Sequence, residues 1–431
     1  MQSQIKVNAT YLTKPTSDVN GIIGIKINGV GEVDPKQINI ALLMDTSGSM
    51  EGARIESVKK TLKVLVEILS NGDVITLIGF SSEAKEILSN VTIDDSNRSF
   101  IIEEIEKLQA DGGTDLGCAL MKMGDLQGCI RSSHNAVVIL TDGFINKGIT
   151  SNAGLYSLVK SKIPSLPIYT LGYGDDHNSD LMKTLSTKTR GSYSFIQEEI
   201  SLPESLGDMV GALKTEISSN ATVKFPSEWK CLEPIAEEGN TFSVGSIISN
   251  KSMWVMIKVP AGSIDKPMEL TCIKSKNETS TITFNSDDSL ERMELVEQLV
   301  RCDMGKIMND VTELMKINEL NKAKDVLSKA INSLTTSEAK NRNIVILIKA
   351  QMEEILSKVN DALSEFHSHT PNALLRHASN TTSNYGNQRG RTGGGELFSS
   401  PMQGQYSRHM TARYADEPTN PTPNPTQSST S

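Results

Sequence analysis

Residues 38–44, Ile-Asn-Ile-Ala-Leu-Leu-Met, form an apolar run that stops abruptly at Asp45-Thr46-Ser47-Gly48-Ser49 and gives way to a helical pattern. A run this apolar, ending in polar turn residues, reads as a buried strand that delivers an oxygen-rich loop to the edge of a sheet. At its end, Asp45, Ser47 and Ser49 place three hard oxygens at alternate positions of a turn. Alternation lets every second side chain face one point, and oxygens gathered in that way suit Mg²⁺, Mn²⁺ or Ca²⁺. Taken alone, the same residues also describe a helix N-cap, where Asp and Ser are preferred.

The pattern around this run is strand–helix alternation over residues 37–220. Further apolar strands are expected at 74–80, 136–140, 167–171 and 192–196, with a short edge strand near 84–88. Helical periods fall at 55–69, 99–109, 115–130, 151–161, 179–189 and 201–218. Short apolar strands alternating with amphipathic helices specify an α/β unit, a doubly wound and mostly parallel sheet covered on both faces.

The flanking sequence follows other rules. Residues 1–36 hold two runs of apolar–polar alternation, 5–11 and 22–27, with no partner strand close by. Residues 221–286 lose the helical period and carry five short β runs spaced as in a small sandwich. The orphan N-terminal strands are expected to pair there, which makes the α/β unit an insertion between strands of one sandwich. Residues 287–368 return to helical stripes, broken at Asn332–Thr336, and read as two or three packed helices. Residues 369–431 are rich in Asn, Thr, Ser, Gly and Pro and read as a disordered tail.

Composition removes several classes of function. The 431 residues carry a formal net charge of −9, which argues against nucleic-acid binding through the whole surface. No stretch has enough consecutive apolar residues to span a bilayer. The N-terminal residues lack a charged-then-apolar leader pattern, and the five cysteines include no closely spaced pair. Both features are expected of a cytoplasmic chain with reduced thiols.

Three loops of the α/β unit carry hard oxygens: Asp45 to Ser49, Asp111-Gly-Gly-Thr-Asp115 and Thr141-Asp-Gly143. In open parallel sheets ligands sit beyond the carboxyl ends of the strands, where strand order reverses. If the strands of Asp45 and Asp142 are neighbours there, the three loops meet. Gly48, Gly113 and Gly143 would let them turn tightly. Asp175 and Asp176, in Gly-Tyr-Gly-Asp-Asp-His-Asn, end a further strand and either line the same face or form a simple polar turn, the turn being the preferred reading. With Gly113 and Gly143 they are candidate partner contacts. His367 and His369 lack the cysteine or acidic companions of a zinc site.

Asp45, Ser47 and Ser49, then Thr114 in Gly-Gly-Thr-Asp, then Asp142 in Thr-Asp-Gly, resemble a von Willebrand factor type A domain with a metal-ion-dependent adhesion site, as in integrin inserted domains. The resemblance covers roughly residues 37–220 and all five motif positions. It implies that Ser47 and Ser49 bind an ion directly, and Thr114 directly or through water. Asp45 and Asp142 would act mainly through water, which leaves one coordination position open to an outside carboxylate. The arrangement with a small β domain and C-terminal helices is similar to intracellular scaffold-type proteins, including some plant ubiquitin ligases. No closely spaced cysteines supply the zinc RING of those ligases.

The expected function is therefore divalent-metal-dependent protein binding, as an adhesion or scaffold module that recognises an exposed Asp or Glu of a partner. A substrate-recruiting subunit of a ubiquitin-ligase-like complex is one alternative. A metal-dependent phosphohydrolase is another, and an ion with only a structural role is a third. No second acid stands next to Asp45, no His or Cys sits in the metal loops, and there is no Gly-rich phosphate loop ending in Lys-Ser/Thr. A non-enzymatic role is expected.

Overall fold

The computed structural model describes residues 4–126, 135–164, 166–174, 177–197, 200–234, 239–263, 266–273, 279–364 and 400–416. The apolar run of the first motif forms β3 (Asn39–Asp45), every residue of it buried. A single 3-10 turn (Gly48–Met50) leads into α1 (Ala53–Ile68), which returns the chain to β4 (Val74–Phe80). β5 (Ala84–Thr92) folds back antiparallel on β4 as the sheet edge. After α2 (Arg98–Glu106) and α3 (Leu116–Leu126), β6 (Asn135–Thr141) pairs parallel to β3 on its other side. Then come α4 (Asn152–Lys162), β7 (Ile168–Tyr173), α5 (Ser179–Lys188), β8 (Tyr193–Ile196) and α6 (Ser201–Lys214).

The sheet order is β5-β4-β3-β6-β7-β8, parallel except at the β5 edge. Strand order therefore reverses between β3 and β6, and Met44 pairs with Leu140 one residue before the two motif loops begin. Alternation along β3 sends Ile40, Leu42 and Met44 to a core shared with α1 and α6, and Ala41 and Leu43 to one shared with α3, α4 and α5. The architecture is the doubly wound α/β unit with added β and helical layers.

Beyond α6 the chain enters a β-sandwich. One sheet orders β1 (Gln4–Thr13), β2 (Gly21–Val30), β12 (Ser252–Val259) and β10 (Lys230–Cys231). The other orders β11 (Thr241–Ile248), β9 (Glu216–Lys224), β13 (Met268–Ile273) and β14 (Thr279–Phe284). β2 pairs antiparallel with β12, Ile25 opposite Val255, although some 230 residues separate them. The α/β unit thus sits between two paired strands, and where it begins and ends the Lys36 amide donates to the Lys214 carbonyl at 2.9 Å. The sandwich begins at Glu216, so the expected boundary at residue 221 and the expected helix to residue 218 shift by one turn. The end of α6 is tied to the sheet by an ion pair, the Lys214 ammonium lying 2.5 Å from buried Asp73.

Three helices follow: α7 (Arg292–Lys316), α8 (Leu320–Thr336) and α9 (Asn343–Ser364), packed around Met308, Val311, Leu327, Ile348 and Met352. A fully buried pair, Arg301 and Glu233 at 2.8 Å, joins α7 to the sandwich.

The expectation of a disordered tail is corrected at one stretch. Pro401–Asp416 forms α10, which lies across α6 and α1. Its start is a reciprocal cap: the Gln403 amide donates to Ser400 Oγ at 3.2 Å, and the Ser400 amide donates to Gln403 Oε1 at 2.8 Å. Composition hid this helix because it is seated by shape more than by apolar area. Gly207 and Gly211 flatten one face of α6, and Gln403, Ser407, Met410 and Tyr414 form the buried stripe that meets it. The remainder of the tail, with His367 and His369, lies outside the described residues.

Candidate metal-binding site

The three loops meet at the reversal point. The second is stitched onto the first by two backbone bonds, Gly48 N to Gly112 O at 3.0 Å and Asp111 N to Thr46 O at 2.8 Å. Gly112 makes the required turn at φ +79°. The third loop holds the second: Asn146 Oδ1 accepts the Thr114 amide at 2.9 Å, and the Thr114 carbonyl accepts the amides of Asn146 and Lys147. A Cβ at Gly113 would stand 2.9 Å from Asn146 Oδ1 and from Lys147 Cε. Glycine at 113 thus serves the packing of these loops.

Each carboxylate is oriented by donors of the chain itself. Asp45 Oδ1 accepts the Ser47 amide at 2.8 Å, and Oδ2 accepts the Thr141 hydroxyl. Asp142 Oδ1 accepts the Ser49 hydroxyl at 2.7 Å, while Oδ2 meets the Arg54 guanidinium. Both aspartates are fully buried. Burial pushes the Asp45 carboxyl up to about 6, against the hydrogen bonds from Thr141 and Ser47, and nearby Asp142 adds to the rise.

The hydroxyls converge as well. Ser47 Oγ and Ser49 Oγ are 3.1 Å apart, and a methyl placed on Gly143 would stand 3.6 Å from Ser49 Oγ and 3.9 Å from Thr114 Oγ1. Gly143 therefore keeps a small space open over the hydroxyls. Asp45, Ser47, Ser49, Thr114 and Asp142 are all brought to this one place. Among the described residues no cluster of three or more His, Cys, Asp or Glu is placed to hold a metal. Two carboxylates and three hydroxyls make a different donor set, all hard oxygen, which fits Mg²⁺, Mn²⁺ or Ca²⁺ and not a thiophilic ion.

Other sequence candidates have different roles. Asp115 caps α3 through the Cys118 amide at 3.1 Å. His177 is buried, its ring nitrogens within hydrogen-bond distance of the Gly174 carbonyl and the Tyr193 hydroxyl. Asp175 and Asp176 lie outside the described residues. Sequence reasoning missed Arg54, Thr141 and Asn146. Thr141 is adjacent to a motif acid, so a buried acid needing a donor was its available signal. Arg54 and Asn146 carried none.

Residues 38–195 match the profile of the von Willebrand factor type A domain. The chain carries such a domain, set between sandwich strands and followed by helices. A von Willebrand factor type A protein from Catenulispora acidiphila superposes with a TM-score of 0.66 at 14% identity, covering 90% of this chain and 98% of that one. The ArnB paralog VWA2 from Sulfolobus acidocaldarius gives 0.60 at 15% identity, covering 90% and 100%. At these identities the likeness is one of fold. An uncharacterized protein of Synechocystis is 32% identical over 163 residues, which are 37% of this chain and 38% of that protein. The chain thus spans well under half of that relative.

Proposed function

We propose that the protein is a divalent-metal-dependent protein-binding module that recognises an acidic residue of a partner at this site. The observation that carries the reading is the convergence of Ser47, Ser49 and Thr114 hydroxyls between two buried aspartates at the strand-order reversal. Ser47, Ser49 and Thr114 would hold the ion, with Asp45 and Asp142 behind them. A bound ion supplies an electrophilic position that an outside carboxylate can complete. Because the protein's own donors already engage both aspartates, little direct negative charge competes with the incoming one. Next to Gly143 of the site, Phe144 is left 48% exposed, and it gives a partner apolar contact next to the acid it presents.

We read the role as recognition rather than turnover, because the loops offer hydroxyls and carboxylates already oriented by the chain's own donors. We place the module in the cytoplasm, as the thiol usage suggests. The test is capture of partners from the native cell by the full chain in Mg²⁺ and in EDTA. Capture is expected in Mg²⁺ alone, and to be lost in Asp45→Ala and Thr114→Ala chains that still melt cooperatively. Equal capture in EDTA overturns the reading.

A further inference from the structure

Arg54 lies in the first turn of α1, where that helix leaves the metal loop. Its Nη1 donates to Asp142 Oδ2 and, at 3.4 Å, to the Ser49 carbonyl. Asp142 is fully buried, whereas the arginine side chain keeps 34% of its exposure. The guanidinium is also seated from the other side. Gly174 turns at φ +67°, and a Cβ there would come 3.3 Å from Nη2 and 3.6 Å from Cζ. A glycine leaves that space open and adopts the turn without strain.

A buried carboxylate is strongly disfavoured without a compensating cation, and Arg54 supplies one. The guanidinium fork suits the place, because one planar group reaches both the carboxylate and a backbone carbonyl. A divalent ion held by Ser47, Ser49 and Thr114 would draw on the same carboxylate, and the two positive charges would repel across a short, partly desolvated gap.

We propose that Arg54 is an internal cation that holds Asp142 in the metal-free protein and competes with the metal ion for it, and so sets the metal affinity of the site. This rests on the metal-site reading above. It gives the site two consequences. Asp142 stays paired and oriented when no ion is bound, so the loops keep their arrangement. The ion is also held less tightly than the same oxygens would hold it alone, which keeps it exchangeable.

The experiment uses the full chain and Mn²⁺ alone, titrated by calorimetry into wild type, Arg54→Gln and Arg54→Lys, with thermal melts in EDTA and in saturating Mn²⁺. Arg54→Gln is expected to bind Mn²⁺ about tenfold more tightly than wild type, with Arg54→Lys between them. In EDTA the Gln variant melts below wild type, and Mn²⁺ closes that gap. An arginine with a purely structural role would lower the melt equally in both conditions and leave Mn²⁺ affinity unchanged, and that result overturns the proposal. Wild type that binds Mn²⁺ while Arg54→Gln binds no more tightly sinks this proposal only. Absence of Mn²⁺ binding in all three chains sinks the metal-site reading and this proposal with it. Arg54→Lys keeps the charge, so it carries the comparison if the Gln variant does not fold.

Discussion

A Cβ on Gly211 of α6 would stand 2.6 Å from the Cα of Gln403 in α10. Backbone meets backbone at that point, and at Gly207 the Cα of Ser407 comes equally close. The contact is extended by Gln403 Nε2, which donates to the Asp208 carbonyl at 3.3 Å, and by the Tyr414 hydroxyl, 3.0 Å from Ser57 Oγ on α1. A segment some 190 residues further along the chain therefore completes the cover over α6.

Gly211→Ala tests that cover with a sign. In an exposed helix the change adds about 1 kcal/mol of stability. Here the new methyl must push α10 away, and overpacking of this kind costs about 1–3 kcal/mol. Thermal melts should show net destabilisation, with new proteolytic cleavage between residues 400 and 416. A more stable variant would mean that α10 does not seat on α6.

Asp73 accepts the Ile38 amide at 3.0 Å and the Lys214 ammonium out of solvent, and the Ser70 amide at 2.7 Å nearer the surface. Asp73→Ala strips the buried Lys214 ammonium of its counter-charge, leaving it Ser70 Oγ at 3.2 Å, and frees two amides, and should cost about 3–5 kcal/mol. Lys214→Met leaves Asp73 its two amides and should cost less. Urea midpoints at constant slope measure both, and the reverse order would rule out this assignment of roles.

Asp45 carries a stability cost set by its environment. Its carboxyl is raised from 3.8 to about 6 by burial, so the folded state holds a proton that the unfolded state releases. The penalty is absent below the unfolded value, grows between pH 3.8 and 6, and is full above, at about 3 kcal/mol for a shift of this size. Asp45→Asn should therefore stabilise the metal-free protein at pH 7 by about 1–3 kcal/mol. The gain should fade as pH drops toward 4. Denaturant titrations in EDTA across that window decide it; a gain that grows on acidification contradicts the assignment.

β2 is an interior strand of its sheet, with Ile23, Ile25 and Ile27 fully buried and β12 paired along its length. Removing residues 1–31 should unfold the sandwich, because β12 loses its ladder and one wall of the core. Hydrogen exchange is expected to show loss of protection in β9, β12 and β13. Retained protection there would mean that the sandwich stands without its N-terminal strands.

The metal loops were legible because each chemical requirement left a local mark. An apolar run ends in Asp45-x-Ser47-x-Ser49, a Gly-Gly-Thr opens a helix, and Thr-Asp-Gly closes a strand. Those marks need only periodicity and residue type. Arg54 was not legible, since an arginine in the first turn of an amphipathic helix reads as solvated, and only the approach of β6 and Gly174 gives it a carboxylate and a seat. Nor was α10, despite the Ser400-Pro-x-Gln403 cap and a stripe at helical spacing. Its composition lacks the apolar area that usually marks a docked helix.

Periodicity along the chain sets the alternation of buried strands and amphipathic helices, and with it the α/β unit, the change of period at the sandwich, the C-terminal helices and the five hard-oxygen side chains. These follow from side-chain periodicity, which each short segment expresses alone. Only the folded chain shows that strand order reverses between β3 and β6, that β12 is the sandwich strand β2 pairs with, that Arg54 meets Asp142, and that α10 closes over α6. Each of these pairs residues far apart in the chain, and their contact depends on the close fit of backbones and buried charges, which no local pattern records.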